Sequence, residues 1–149
     1  MVLMSFSEPE HVPALLDGRK TQTTRLVRKN PVKAGDTLQC YYKSRVAKMC
    51  LSCITPDCEY SAMGNSPQIP AIKCSKYCNY FGTATVTDVV PLKEALMDRD
   101  VFARLDGFGS WAQADRWFRR SSRVDKNWTT LPYVVIRFEP HWLKEGDSQ

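Results

Sequence analysis

The stretch GRKTQTTR, from Gly18 to Arg25, holds the densest set of side chains in this sequence that can bind an anion or move a proton. Its eight residues include three cations and three threonine hydroxyls behind one glycine. Lysine and arginine are rarely buried unless they are paired. The stretch is therefore either a solvated turn or rim strand, or a charged strand that faces a ligand. If the stretch faces a ligand, its three cations would favour an anionic one.

A strand over Thr21–Val27 would divide these side chains between two faces, because side chains alternate along a strand. One face would carry Thr21, Thr23 and Arg25, and the other Lys20, Gln22 and Thr24. Lys20 lies just after the Gly18 turn, at the entrance of the strand.

A second stretch has the composition of a metal site. It contains five of the six cysteines, spaced C-x2-C-x4-C-x15-C-x3-C: Cys50, Cys53, Cys58, Cys74 and Cys78. Short spacings let one turn present two thiolates to zinc, and the long loop between the clusters has no other evident source of order. We expect one zinc held by four of the five. An iron–sulfur cluster, or free or disulfide-forming cysteines, are the alternatives, whereas Cys40 lies in a predicted strand and reads as a core residue.

The elements that must position these residues are short. Strands are predicted at Val2–Phe6, Thr21–Val27, Thr37–Tyr42, Gly82–Val90 and Leu131–Glu139, with Pro140 after the last. Helices are predicted from an N-cap at Ser7, with Pro9 in the first turn, to Gly18; over Leu92–Met97; and from a capping box at Ser110 and Gln113. The pattern favours an α+β fold, a small mixed β-barrel flanked by short helices, in one domain over residues 1–149. The cysteine-rich segment, residues 50–78, would be an insert within a hairpin.

The net charge and the composition of the chain restrict the classes of partner that we expect. The chain has 149 residues, a net charge of +5 and a pI near 8.9, which suits nucleic acid or another anionic partner without identifying one. No apolar run approaches the roughly 20 residues of a membrane span, and the first residues lack the pattern of a secretory signal. We therefore expect a cytoplasmic protein with no membrane partner. His11, in the first helix, and His141, after the last strand, are expected at the surface or rim.

Several stretches together resemble the ASCH domain family, a branch of the PUA-like superfamily. They are GRKTQTTR, GDTLQCYY with Arg45 after it, FGTATVTDVVPL, the DGF before a helix, and YVVIRFEP. The family signature, Gly-x-Lys-x-x-Glu-x-Arg, is matched at Gly18, Lys20 and Arg25, with Thr23 in place of the glutamate. The resemblance implies a PUA-like barrel with a basic cleft beside the signature strand that receives RNA or a nucleotide. The ligand-binding residues it implies are Gly18, Lys20, Thr21, Thr23, Arg25 and Arg45.

Two functions remain open. As a binding module, the protein would use Lys20, Arg25, Arg28 and Arg45 for positive potential. Tyr41, Tyr42, Trp111 or Trp117 would offer stacking surfaces unless they belong to the core.

As an enzyme, it would resemble a small bacterial branch of the family that hydrolyses the acetyl amide of N4-acetylcytidine and also has threonine at the glutamate position. That resemblance implies a catalytic set of Lys20, Thr23 and Asp106, with Asp106 standing where that branch has glutamate. An aspartate before Gly107 is also ordinary turn chemistry.

Overall fold

The structure, a computed structural model, describes residues 2–6, 8, 11–42, 80–121 and 125–142. Its strands are β1 (Val2–Phe6), β2 (Gln22–Leu26), β3 (Thr37–Tyr42), β4 (Tyr80–Pro91) and β5 (Tyr133–Trp142). Its helices are α1 (His11–Leu16), α2 (Leu92–Ala95), α3 (Arg99–Leu105) and α4 (Trp111–Ser121), and a 3₁₀ helix covers Asp125–Thr130. Among the described residues, no helix has the length and apolar character that crossing a membrane requires.

The five strands form one mixed sheet in the order β1-β3-β4-β5-β2. β1 is parallel to β3, with Val2 opposite Leu38. β3 is antiparallel to β4, and β2 is antiparallel to β5, with Thr23 opposite Ile136. The predicted α+β fold class is confirmed, and the mixed sheet is consistent with a small barrel.

Local signals in the sequence predicted several element boundaries correctly. β3 covers the predicted residues, and Gly18 follows α1 with a φ of 85°, the left-handed conformation that favours glycine at a helix end. Ser110 caps α4 as predicted, because its Oγ accepts a hydrogen bond from the Gln113 backbone N–H at 3.2 Å. The proposed first cap at Ser7 and the residue Pro9 lie outside the described residues.

Three predictions were wrong. Helix α3 was missed because it is short and ends at Asp106-Gly107, which reads locally as a turn; Asp98 begins it by accepting a hydrogen bond from the Val101 N–H at 3.1 Å. β5 continues through Pro140 to Trp142, so His141 lies within the strand and not after it, although its side chain is exposed as predicted, with Nε2 3.1 Å from Thr85 Oγ1. His11 is buried, with 8% of its surface exposed, because it begins α1 on the helix's packed side.

Contacts within the chain form two compact units, each with its own core. The first comprises Met1–Gly18, Asp36–Thr85 and Pro140–Gln149, and the second comprises Arg19–Gly35 and Val86–Glu139. Among the described residues, the first unit buries Met4, Phe6, Leu15, Leu38, Cys40 and Phe81, which confirms Cys40 as a core residue. The second unit carries the candidate site.

Aromatic side chains dominate the core of the second unit. Its buried cluster consists of Leu92, Phe102, Phe118, Trp128 and Val135. The rings of Phe118 and Trp128 stack with centroids 4.3 Å apart and planes 11° from parallel. Trp111 and Trp117 of α4 are partly buried and pack against this cluster, so both serve the core. The cluster holds α2, α3 and α4 against β5.

Candidate functional site

The C-terminus of α3 is the structural centre of the candidate site. A helix leaves its last four carbonyl groups without intrahelical partners. Two of them are satisfied locally, because the Phe108 N–H donates to Ala103 O at 2.8 Å and the Gly107 N–H donates to Arg104 O at 3.1 Å. These two bonds form a Schellman motif, in which Gly107 takes a φ of 97°.

The signature stretch satisfies the other two carbonyls. The Thr21 N–H donates to Leu105 O at 3.0 Å, and Lys20 Nζ donates to Asp106 O at 2.6 Å. A cation is favourable at this position, since the helix dipole places negative potential at the C-terminus. Gly107 permits the approach of Lys20, because a Cβ at position 107 would lie 3.2 Å from Lys20 Cβ and Cδ.

The Asp106 carboxylate gathers three side chains of the same stretch. Lys20 Nζ lies 3.6 Å from Asp106 Oδ2, while Thr24 Oγ1 donates to Oδ1 at 3.1 Å. Gln22 Nε2 lies 3.4 Å from Oδ1 and also donates to Phe102 O at 3.3 Å. Lys20 and Asp106 are each 2% exposed, so the ion pair is buried. Burial lowers the pKa of Lys20, the Asp106 carboxylate opposes this, and the charge of Arg25 adds to it.

The structure brings together two of the three residues predicted for catalysis. Lys20 and Asp106 pair directly, but Thr23 points elsewhere, and its buried Oγ1 accepts a hydrogen bond from Arg25 Nε at 3.2 Å. Thr24 and Gln22 contact the Asp106 carboxylate instead. Neither residue was predicted from the sequence to belong to the site. The alternation of side chains along the strand could have identified both residues, since it puts them on the same face as Lys20.

A groove adjoins this buried pair. Its volume is about 460 Å³, and it is lined by Arg19, Val101, Arg104, Leu105, Gly107, Phe108 and Gly109. The side chains of Arg19 and Arg104 are exposed, and Phe108 is partly exposed. The backbone N–H groups of residues 107 and 108 are used within the Schellman motif, and the Gly109 N–H donates to Gln113 Oε1 at 3.0 Å. An anion in the groove would therefore meet guanidinium groups rather than a backbone cradle.

The other predicted site residues lie outside the described residues: Arg45, Cys50, Cys53, Cys58, Cys74 and Cys78. Within the described part of the chain, no group of three or more His, Cys, Asp or Glu side chains is arranged to hold a metal ion.

Comparison with known proteins supports the fold. No protein-family model matches the chain, and no curated protein matches it. The crystal structure of hypothetical protein PH0355 is similar, with a TM-score of 0.50 and 17% identity, covering 93% of this chain and 97% of that one. Protein EF3133 from Enterococcus faecalis V583, of family model DUF984, gives a TM-score of 0.49 and 13% identity, covering 100% of this chain and 86% of that one. The likeness to PH0355 concerns the fold alone.

Proposed function

We propose that this chain is an ASCH-type domain that binds RNA or a nucleotide in the groove beside the start of β2. The observation that carries the proposal is the lining of the groove, which combines two exposed arginines, Arg19 and Arg104, with the apolar residues Val101, Leu105 and Phe108. Guanidinium groups bind phosphate oxygens in bidentate geometry, and apolar or aromatic walls receive base faces. The volume of about 460 Å³ lies within the range of small-ligand sites.

The signature lysine has a supporting role in this proposal. Lys20 is buried and its ammonium group is engaged by Asp106, so phosphate contact falls to Arg19 and Arg104. Lys20 holds the end of α3, and this helix together with the turn after it supplies every groove-lining residue except Arg19. Loss of Lys20 would therefore disturb the groove indirectly.

Replacing Arg19 and Arg104 with alanine should weaken the binding of single-stranded RNA and flatten its salt dependence. Each phosphate contact on a single strand contributes about −0.7 to the slope of log K against log salt concentration, so the double variant should lose about 1.4 from that slope. Fluorescence anisotropy at a series of salt concentrations measures both quantities. Arg120→Ala, which removes an exposed cation of α4 outside the groove, is the matched control. If the wild-type affinity does not depend on salt concentration, or if the double variant binds as tightly as the control, the groove is not the RNA-binding site.

A second candidate function is amide hydrolysis, with N4-acetylcytidine as substrate. The observation in its favour is a buried lysine whose pKa is lowered and whose ammonium group lies beside a carboxylate. A neutral lysine can take the proton of an attacking water or hydroxyl, and the neighbouring Asp106 carboxylate can relay that proton from the resulting ammonium group to the leaving amine. Water then adds across the amide bond to yield acetate and the free amine.

We also propose that the cysteine-rich segment binds one zinc ion per chain through four of its five cysteines. Elemental analysis of protein purified without added metal should find close to one equivalent of zinc. Because such sites contribute to folding, a chelator should release zinc and expose thiols while the buried cores of the two units stay folded. Less than about a tenth of an equivalent of zinc, with all five thiols reactive, would contradict metal binding.

A further inference from the structure

We propose that residues 25–33, here called the basic segment, form a second anionic subsite, so that the ligand is a single strand of several nucleotides. This inference rests on the proposed binding of RNA and specifies its ligand. The basic segment reads RLVRKNPVK and contains four cations and no carboxylate. Arg28, Lys29 and Lys33 are exposed, and Arg25 is partly exposed. This charge density suits a polyanion.

Apolar side chains are interleaved with these cations. Leu26 is 50% exposed and Val27 is 51% exposed, which is unusual for large hydrophobic residues at neighbouring positions. Together with Arg25 and Arg28 they line a narrow cleft of about 30 Å³, room for no more than about one water molecule. The feature is therefore a surface and not a pocket. Cations that track a backbone, beside apolar groups that meet base faces, are how proteins hold single strands.

β2 joins the two subsites. Arg19 of the groove precedes this strand, and the cleft of the basic segment begins at Arg25 near its end. The five residues of β2 span about 13 Å at about 3.3 Å per residue. A ligand that reaches both subsites must span at least a comparable distance, and single-strand binding sites typically cover about 4–16 nucleotides.

A carboxylate next to this cleft is paired with a cation, which agrees with the binding of an anionic strand. Val89 lines the cleft, and the neighbouring Asp88 carboxylate lies 3.7 Å from Arg137 Nη1, which offsets its negative charge. An acidic peptide is the competing partner for such a surface. RNA is favoured because the groove at the other end of β2 has the same combination of arginine and apolar side chains.

The test compares a mononucleotide with a longer strand. The triple variant Arg28→Ala, Lys29→Ala, Lys33→Ala should bind an octamer of uridylate about tenfold or more weakly than the wild type, with a salt slope lower by about 2. Its affinity for uridine 5′-monophosphate should not change. The triple variant Lys93→Ala, Arg116→Ala, Arg120→Ala, which removes three exposed cations elsewhere in the same unit, should bind both ligands like the wild type. Thermal unfolding checks that each variant is folded.

The other outcomes separate this inference from the proposed function. If the wild-type protein binds the octamer no more tightly than the monophosphate, the second subsite is overturned. The groove then remains as the single proposed binding site. The second subsite is also overturned if the Arg28/Lys29/Lys33 variant loses the same affinity for both ligands, or if it loses affinity for neither of them. If the variant loses affinity for an oligoglutamate of equal charge but keeps the octamer, the basic segment binds acidic protein instead. A wild-type protein that binds neither nucleotide ligand overturns the proposed function itself.

Discussion

Replacing Asp106 with alanine should lower the free energy of unfolding by about 3–5 kcal/mol, the usual cost of leaving one member of a buried ion pair without its partner. The variant keeps the backbone carbonyl that accepts from Lys20 Nζ but removes the carboxylate beside it. The Thr24 hydroxyl also loses its acceptor in the buried cluster. Since a domain is stable by about 5–15 kcal/mol, this loss should be evident in urea or thermal unfolding.

Asp100→Ala is the matched control, because it removes an exposed carboxylate from the first turn of the same helix. Its cost should stay below about 1 kcal/mol, the usual limit for a surface charge near a helix end. Adding Lys20→Met to the Asp106 variant should cost less than the sum of the two single changes, because the double variant leaves neither charge buried alone. An Asp106 variant as stable as the control would show that the buried pair does not hold α3 to β2.

Under the second candidate function, Lys20→Met should reduce the release of acetate from N4-acetylcytidine by roughly 10³-fold or more, the scale on which a member of a catalytic unit is lost. Methionine keeps the length of the buried stem and removes the amine that would accept the proton. Chromatography of the nucleoside products, with a parallel assay for acetate, measures the reaction. Asp106→Asn, which keeps the shape of the side chain, should cause a loss on the same scale.

Alanine variants of Thr23 and Thr24 distinguish two assignments of the catalytic hydroxyl. The family resemblance assigns catalysis to Thr23, whereas the geometry puts the hydroxyl of Thr24 on Asp106 and that of Thr23 on Arg25. Loss of activity in Thr23→Ala alone would support the assignment by resemblance, and loss in Thr24→Ala alone would support the assignment by geometry. Arg120→Ala should retain full activity. No acetate from the wild-type protein at high enzyme concentration would leave binding as the candidate function.

Elements with local signals were predicted well from the sequence. β3 has alternating side chains, the turn after α1 needs a glycine at positive φ, and α4 begins at a serine whose hydroxyl caps it. Helix α3 was missed because its ends depend on context. Asp106-Gly107 is compatible with a simple turn, and it becomes a helix end when Phe108 and Gly107 donate back to Ala103 and Arg104.

The sequence by itself determined the alternation of the signature stretch, and with it the set Lys20, Gln22 and Thr24 on one face. Tertiary structure decided what that face meets. A lysine that directly follows Arg19 in a charged stretch is expected to be solvated, because burying an ammonium group is costly unless an opposite charge and hydrogen bonds compensate it. That compensation comes from the carboxylate and the backbone carbonyl of Asp106, 86 residues away at the C-terminus of α3. Neither partner is visible in the local pattern, since the pairing exists once α3 packs against β2.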